Sequence, residues 1–431
     1  MASIVEGIIR QRVSERGRIT FAEFMELALY GPGGYYMQRR RTGPSGDYFT
    51  APHAHPGFGA LIAVQLREMW RALGAPARFM AVELGAGDGL LAADVASYSA
   101  RLDPGFAKAL EYLAFDRVVH EGAASQVRGF DPHPRTKSRA GSDPLPPRER
   151  GQQGAGLPSG ATGCVMSNEL LDALPVHRFT VRNGRVLELY VTLREGKFDE
   201  VADEPSTPGT KARLGLLVKS LPEGFRGEVN LGIGPWAAQV AGVLARGYVL
   251  TVDYGHDRTA LYSPERRRGT LRCYYRHTLG GNPFDHAGDQ DMTAHVDFSA
   301  VDEALAAHGF AVDGYASQRG FLRSLGLDNF VARLRGECRD QAEADANCAG
   351  LLELVRPDGM GAFRVAIHSK GAGAVRLTGL HGPPSPGAED APPLPLLAEG
   401  DRHIRLARSK YPHAASSLPA WKDLFSDPPA S

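Results

Sequence analysis

The chain has 431 residues, 43% of them hydrophobic, with 49 basic and 49 acidic side chains and a formal net charge of +0. That balance leaves no field to gather nucleic acid or an anionic membrane surface, and the length allows one large domain or two to three smaller ones. Cys164, Cys273, Cys338 and Cys348 are widely spaced with no C-x-x-C pair, which argues against a structural zinc site or a disulfide scaffold and fits a reducing compartment.

The N-terminus lacks a basic stretch followed by an apolar core, so no secretory signal is read there. No apolar run approaches membrane-spanning length. A cytoplasmic location without membrane insertion is therefore expected. Ile4, Ile8, Ile9 and Val13 predict a first helix. Thr20 with Glu23 three residues on predicts a capping box opening a second helix, which carries Phe21, Phe24, Met25 and Leu29. Gly31-Pro32-Gly33-Gly34 reads as a turn, and a glycine-rich loop follows over 46–53. Helical spacing of Phe58, Leu61, Ile62, Gln65, Leu66, Met69 and Trp70 predicts a helix over 57–72.

The segment from Met80 to Leu91 is the most informative. It reads as a buried strand over 79–84, then G-x-G-x-G at Gly85, Gly87 and Gly89, then a helix starting near Asp88. Glycines let backbone N–H groups approach a ligand without Cβ interference. A dinucleotide fingerprint would want its third glycine where Leu90 stands, so a phosphate-free nucleotide donor, S-adenosylmethionine, fits better than NAD. An ordinary strand-to-helix turn is the alternative.

Further strands are expected at 111–115, ending in Asp116, at 163–168, ending in Asn168, and at 247–253, ending in Asp253. A hairpin about Asn183-Gly184 and late strands at 310–315 and 361–368 complete the set. Strands alternating with helices and ending in polar tips imply an α/β fold with a doubly wound Rossmann-like sheet, whose ligands lie beyond the carboxyl ends of the strands. Residues 131–160 and 371–400, rich in proline, glycine and charge, read as an unstructured insertion and a tail linker. Leu418, Trp421, Leu424 and Phe425 could dock as a short amphipathic piece. The expected division is an N-terminal helical and lid segment, 1–75, a methyltransferase domain, 76–370, with substrate-side insertions at 200–235 and 256–300, and a tail, 371–431.

Several ordered blocks together resemble one family. They include Gly46-Asp47-Tyr48-Phe49-Thr50-Ala51-Pro52, Glu83-Leu84-Gly85-Ala86-Gly87-Asp88-Gly89, Ser167-Asn168-Glu169-Leu170-Leu171-Asp172-Ala173-Leu174-Pro175-Val176, Val252-Asp253-Tyr254-Gly255-His256 and Asp291-Met292-Thr293-Ala294-His295. The chain resembles the MidA-like family of class I methyltransferases from about Gly17 to about His368. The resemblance implies S-adenosyl-L-methionine as cofactor and a protein substrate, because mitochondrial members of that family are complex I assembly factors that methylate a protein arginine. The acid at Asp116, the proline-rich segment after Asp131 and the extended tail depart from the family pattern.

Within that reading, Asp47, Thr50 and Pro52 form a lid over the donor, or else a rigid surface turn. Glu83, Gly85, Ala86, Gly87 and Gly89 cradle the donor, Asp116 accepts its ribose hydroxyls, and Asn168 borders both donor and acceptor. An arginine acceptor stays protonated and repels a sulfonium, so a carboxylate must grip it. Glu169 is the first choice, with Asp172 beside it if a helical turn opens at Glu169; a helix N-cap is the other role for Asp172. Tyr48, Asp253, Tyr254 and His295 are placed on the substrate side, with Tyr48 alternatively a core plug. Thr293, His295 and Asp297 alternate as on one strand face. His256, His277 and His295 do not demand a metal. Competing readings are a small-molecule methyltransferase and a non-catalytic assembly chaperone; no nucleic-acid partner is expected, and a homodimer is allowed.

Overall fold

The computed structural model describes residues 3–38, 49–116, 126–127 (backbone only), 157–217, 221–275, 278–382, 393–397 and 402–403. Asp47, Tyr48, His277, residues 131–156 of the proline-rich segment, and the stretch holding Leu418, Trp421, Leu424 and Phe425 lie outside the described residues. Two units are assembled from discontinuous segments: Met1–Thr50, Glu169–Gln239 and Val252–Ala311 in one, Ala51–Asn168, Val240–Thr251 and Val312–Ser431 in the other.

The first unit opens with α1 (Ile4–Arg16), where the Ser3 hydroxyl accepts from the Glu6 N–H. Its buried face is Val5, Ile9 and Val13, while Ile4 is 75% exposed. A helix turns about 100° per residue, so Ile4 falls outside the stripe that begins at Val5. In α2 (Phe21–Tyr30) the Thr20 hydroxyl accepts from the Glu23 N–H, as the sequence pattern predicts. Phe21, Phe24, Met25, Ala28 and Leu29 pack with Val176, Val191, Cys273 and Met292 in one core cluster. Antiparallel strands His177–Arg182 and Arg185–Arg194 close on Asn183 and Gly184, both with positive φ (53° and 67°), which is the backbone of a two-residue hairpin turn.

Thr293 and Asp297 do not share one strand. Thr293 pairs antiparallel with Arg272, whereas Asp297 pairs parallel with His256. The chain is redirected between them because the Ala294 N–H donates to the Asp172 carbonyl and the Val296 N–H to that of Tyr254.

The second unit contains a seven-stranded sheet. Its strands in chain order are β1 (Phe79–Leu84), β2 (Leu110–Phe115), β3 (Gln126–Val127), β4 (Ala161–Asn168), β5 (Leu244–Asp253), β6 (Ala311–Ser317) and β7 (Arg364–Lys370). The spatial order is β3-β2-β1-β4-β5-β7-β6. All six residues of β1 are buried, between parallel neighbours β2 and β4. The order reverses between β1 and β4, the switch point at which open α/β sheets bind ligands. The helices of this unit include α3 (Gly57–Ala72), α4 (Leu90–Leu102) and α5 (Gln341–Glu353).

The described part of 371–403 corrects the expectation of an unstructured linker. Leu377, Leu394 and Leu397 are buried, and the Gly379 N–H donates to Gln65 Oε1 at 3.1 Å. Proline-rich composition concealed these leucines, which supply the apolar area that docks the segment.

Candidate active site

Residues of the second unit form the curl after β1. Leu84 lies opposite Phe115 on one side and Ser167 on the other, so Gly85, Asp116 and Asn168 leave the sheet side by side. The Gly85 and Ala86 N–H groups both donate to the Phe115 carbonyl (2.9 and 3.1 Å). The Gly87 N–H donates to Asp116 Oδ2 at 2.7 Å. Gly85, Gly87 and Gly89 have φ of 77°, 53° and 75°, a left-handed backbone that costs other residues energy. A Cβ added at Gly87 or Gly89 would meet nothing within 4 Å. The curl therefore presents bare backbone to open space and fits a ligand that needs close backbone approach. Gly89, at the start of α4, brings no side-chain cap of its own.

Glu83 is buried at the end of β1 and accepts the Tyr112 hydroxyl at 2.8 Å. Burial is the largest influence on its carboxyl and pushes it up to about 8; Asp116 and Asp88 add to the rise while Tyr112 opposes it. Asp88 accepts the Leu90 N–H at 3.1 Å and lies 3.5 Å from both His53 and Arg402. Burial alone would raise the Asp88 carboxyl, but His53, Arg402 and the Leu90 N–H outweigh it and hold the group below the usual aspartate range. Pro52 is buried in the helical turn Ala51–Ala54, and Thr50, half-buried, precedes that turn in the chain.

Residues of the first unit form an acidic turn. Glu169, the residue after Asn168, has φ 51°, a left-handed conformation in a non-glycine residue. Its N–H donates to the Val252 carbonyl at 2.9 Å, and its Oε2 accepts the Tyr254 hydroxyl at 3.3 Å. No helix opens here, so neither the shared helical face nor the helix N-cap expected for Asp172 exists. The αL bend at Glu169 turns the chain away from helical geometry. Asp172 is buried, and its carboxyl lies well above the usual range, through burial first and then Asp253, Glu169 and Asp291.

Asp253, placed on the substrate side by sequence, is fully buried. Its Oδ2 accepts the N–H groups of Leu170 and Leu171 (3.2 and 2.8 Å), and its Oδ1 accepts that of Tyr254 (2.8 Å). It ties down the acidic turn. Burial pushes its carboxyl up to about 7 against those donors. His295, half-buried, stacks near Tyr254 (ring centroids 6.4 Å) and His256 (5.4 Å). Burial, then His256, Arg272 and Arg266, lower it to about 4, so it is a neutral imidazole near pH 7.

Sequence reasoning missed Tyr112, His53 and Arg402 around the curl and left Asp291 unassigned in the acidic neighbourhood. Tyr112 alone carried a signal, through its place one strand over from the Glu83 strand.

A sheet of this order, with a glycine curl after its first strand and an acid after its second, is that of a class I S-adenosylmethionine-dependent methyltransferase. A protein from Burkholderia thailandensis, crystallised with S-adenosyl-homocysteine, has the same fold: TM-score 0.71, 28% identity, covering 87% of this chain and 94% of that one. Residues 61–316 match the family described as "Putative S-adenosyl-L-methionine-dependent methyltransferase", and the chain belongs to that family. It is similar to the protein arginine methyltransferase NDUFAF7 of Rattus norvegicus, 28% identical over 81% of this chain and 80% of the relative. Its likeness to the Drosophila melanogaster homologue is 27% over 77% and 75%. The chain is thus an enzyme whose cofactor is S-adenosyl-L-methionine. The cytoplasmic expectation is corrected, because these relatives are named as mitochondrial proteins. Free thiols fit any reducing compartment, so cysteine usage could not separate the two.

Proposed function

We propose that this enzyme methylates an arginine side chain of a protein, with subunits of respiratory complex I as the first acceptors to test. The relatives named as protein arginine methyltransferases support the acceptor class. Bound S-adenosylmethionine supplies the methyl group. In this reading Gly85, Ala86, Gly87 and Gly89 present backbone to the donor, Asp116 and Asn168 stand at the neighbouring strand ends, and Glu83, Thr50 and Pro52 are further donor-site residues. Glu169 grips the guanidinium, Tyr254 fixes the Glu169 carboxylate, Asp253 braces the turn, and Asp172 and His295 shape the acceptor's surroundings. The segment boundaries at 75 and 370 and a homodimeric state belong to the same proposal.

The observation that carries it is the Glu169 carboxylate, held by Tyr254 on a strained bend one residue beyond β4. A carboxylate fork localises electron density on the attacking nitrogen and offsets repulsion between two cations. The test is label transfer from methyl-tritiated donor to purified complex I subunits, with peptide mass spectrometry to assign the residue. Label on arginine, reduced about a hundredfold in Glu169→Gln with S-adenosyl-homocysteine affinity retained, supports the proposal. Label confined to small molecules, or full turnover in that variant, refutes it.

A further inference from the structure

The C-terminal segment does something that neither the family match, which ends at residue 316, nor the resemblance covers. Its described residues follow one face of α4 back toward the curl. The Tyr98 hydroxyl donates to the Pro393 carbonyl (2.7 Å), and Arg101 donates to that of Leu394 (3.3 Å). Leu394 and Leu397 are each 4% exposed. The Leu397 N–H donates to Asn347 Oδ1 on α5 at 2.8 Å. Nearer the start of α4, His403 Nε2 lies 2.9 Å from Asp94 Oδ2, with the imidazole buried. Arg402 Nη1 then donates to the Asp88 carbonyl at 2.9 Å and lies 3.5 Å from the Asp88 carboxylate. Arg101, Tyr98 and Asp94 are three and four residues apart, so they share one side of the helix.

We propose that residues 393–397 and 402–403 act as an intrachain strap on the donor site and that Arg402 is a positioning residue for S-adenosylmethionine. The inference rests on the curl being the donor cradle. The backbone carbonyl and the carboxylate of Asp88 both face Arg402. Its carbonyl belongs to the peptide that joins it to Gly89, whose left-handed φ sets the start of α4. Fixing that peptide before the donor arrives removes part of the ordering cost of binding. His403 and the two leucines keep Arg402 in reach. By reciprocity, a strap that favours donor binding is itself held more firmly when the donor is bound.

The test uses the full chain and S-adenosyl-homocysteine as probe, with titration calorimetry and amide hydrogen exchange. Arg402→Ala is expected to weaken binding roughly tenfold, because a charge-assisted hydrogen bond is lost, and to speed exchange at 85–90 in the ligand-free protein. Arg402→Lys, which keeps the charge and one donor, recovers part of the affinity. Tyr98→Phe, at the far anchor, weakens binding about two- to fivefold. In the wild type the ligand slows exchange at 394, 396, 397, 402 and 403. A raised KM at unchanged kcat in Arg402→Ala separates positioning from a general loss of fold. Arg402→Ala and Tyr98→Phe variants that bind within twofold of wild type, with unchanged exchange at 85–90, overturn the strap. A wild-type protein that does not bind S-adenosyl-homocysteine overturns the donor-cradle reading itself.

Discussion

Replacing Gly87 by alanine separates the donor reading of the curl from its structural alternative. The added Cβ meets no atom within 4 Å, so the cost to the fold is conformational, about 1–2 kcal/mol for an L residue in left-handed backbone. Ala75 already holds φ 50° in this chain, so an alanine at the Gly87 value of 53° is within what the protein accommodates. For a chain of this size that corresponds to a melting temperature lower by a few degrees. The same Cβ occupies the space into which a bound donor would bring its atoms, and affinity for S-adenosyl-homocysteine is expected to fall by about 30-fold or more, roughly 2 kcal/mol. Gly163→Ala is the contrasting control. Its Cβ would stand 1.8 Å from the Met80 carbonyl oxygen across the β1–β4 pair, so two parallel strands would have to part, at a cost above about 4 kcal/mol. Calorimetric titration and thermal melts of both variants decide the matter. If Gly87→Ala binds the ligand within twofold of wild type while melting a few degrees lower, the curl is only a turn.

The Glu83 carboxyl, raised to about 8 by burial, has a folded pKa above its unfolded one. Its contribution to stability is complete below about pH 4.3, declines as pH rises and is fully lost above about pH 8. Glu83→Gln should therefore flatten the decline between pH 5 and pH 8 seen in denaturant titrations of wild type; equal slopes in the two proteins would show that Glu83 ionises freely. Asp253→Asn puts an amide donor where backbone N–H groups of Leu170, Leu171 and Tyr254 already point. A loss of about 1–3 kcal/mol in stability is expected, together with a fall in kcat and little change in S-adenosyl-homocysteine affinity. An unaltered kcat would detach the acidic turn from turnover.

Legibility in the sequence tracked how local the physics is. The strand Phe79–Leu84, the helix Gly57–Ala72, the Thr20 cap and the Asn183-Gly184 turn depend on neighbours a few residues away, and each stands where periodicity and turn chemistry put it. The polar strand tips were legible for the same reason, as a run of apolar residues ending in Gly85, Asp116, Asn168 or Asp253. What these tips do was less legible. Asp253 reads as a substrate-side acid at a strand end, yet it accepts the N–H of Tyr254 and two further backbone donors, Leu170 and Leu171, that the turn at 169–172 brings near. The bend at Glu169 gives no sign in the sequence, because glutamate does not advertise a positive φ. Arg402 lies far along the chain from Asp88, in a segment whose prolines hid the leucines that anchor it.

The charge arrangement of the acidic turn follows from the same packing. Asp253, Glu169 and Asp291 all act on the Asp172 carboxyl, and like charges at close range disfavour ionisation. Asp172 and Asp253 are both driven upward, by burial first. Burial and like-charge repulsion thus disfavour ionisation of Asp172 and Asp253. A cation brought to Glu169 reverses part of that shift, since an opposite charge favours the ionised form, and proton release accompanies binding. A neutral small-molecule acceptor would leave these protons in place, so proton release measured on peptide binding in two buffers of different ionisation enthalpy distinguishes a guanidinium acceptor from an uncharged one.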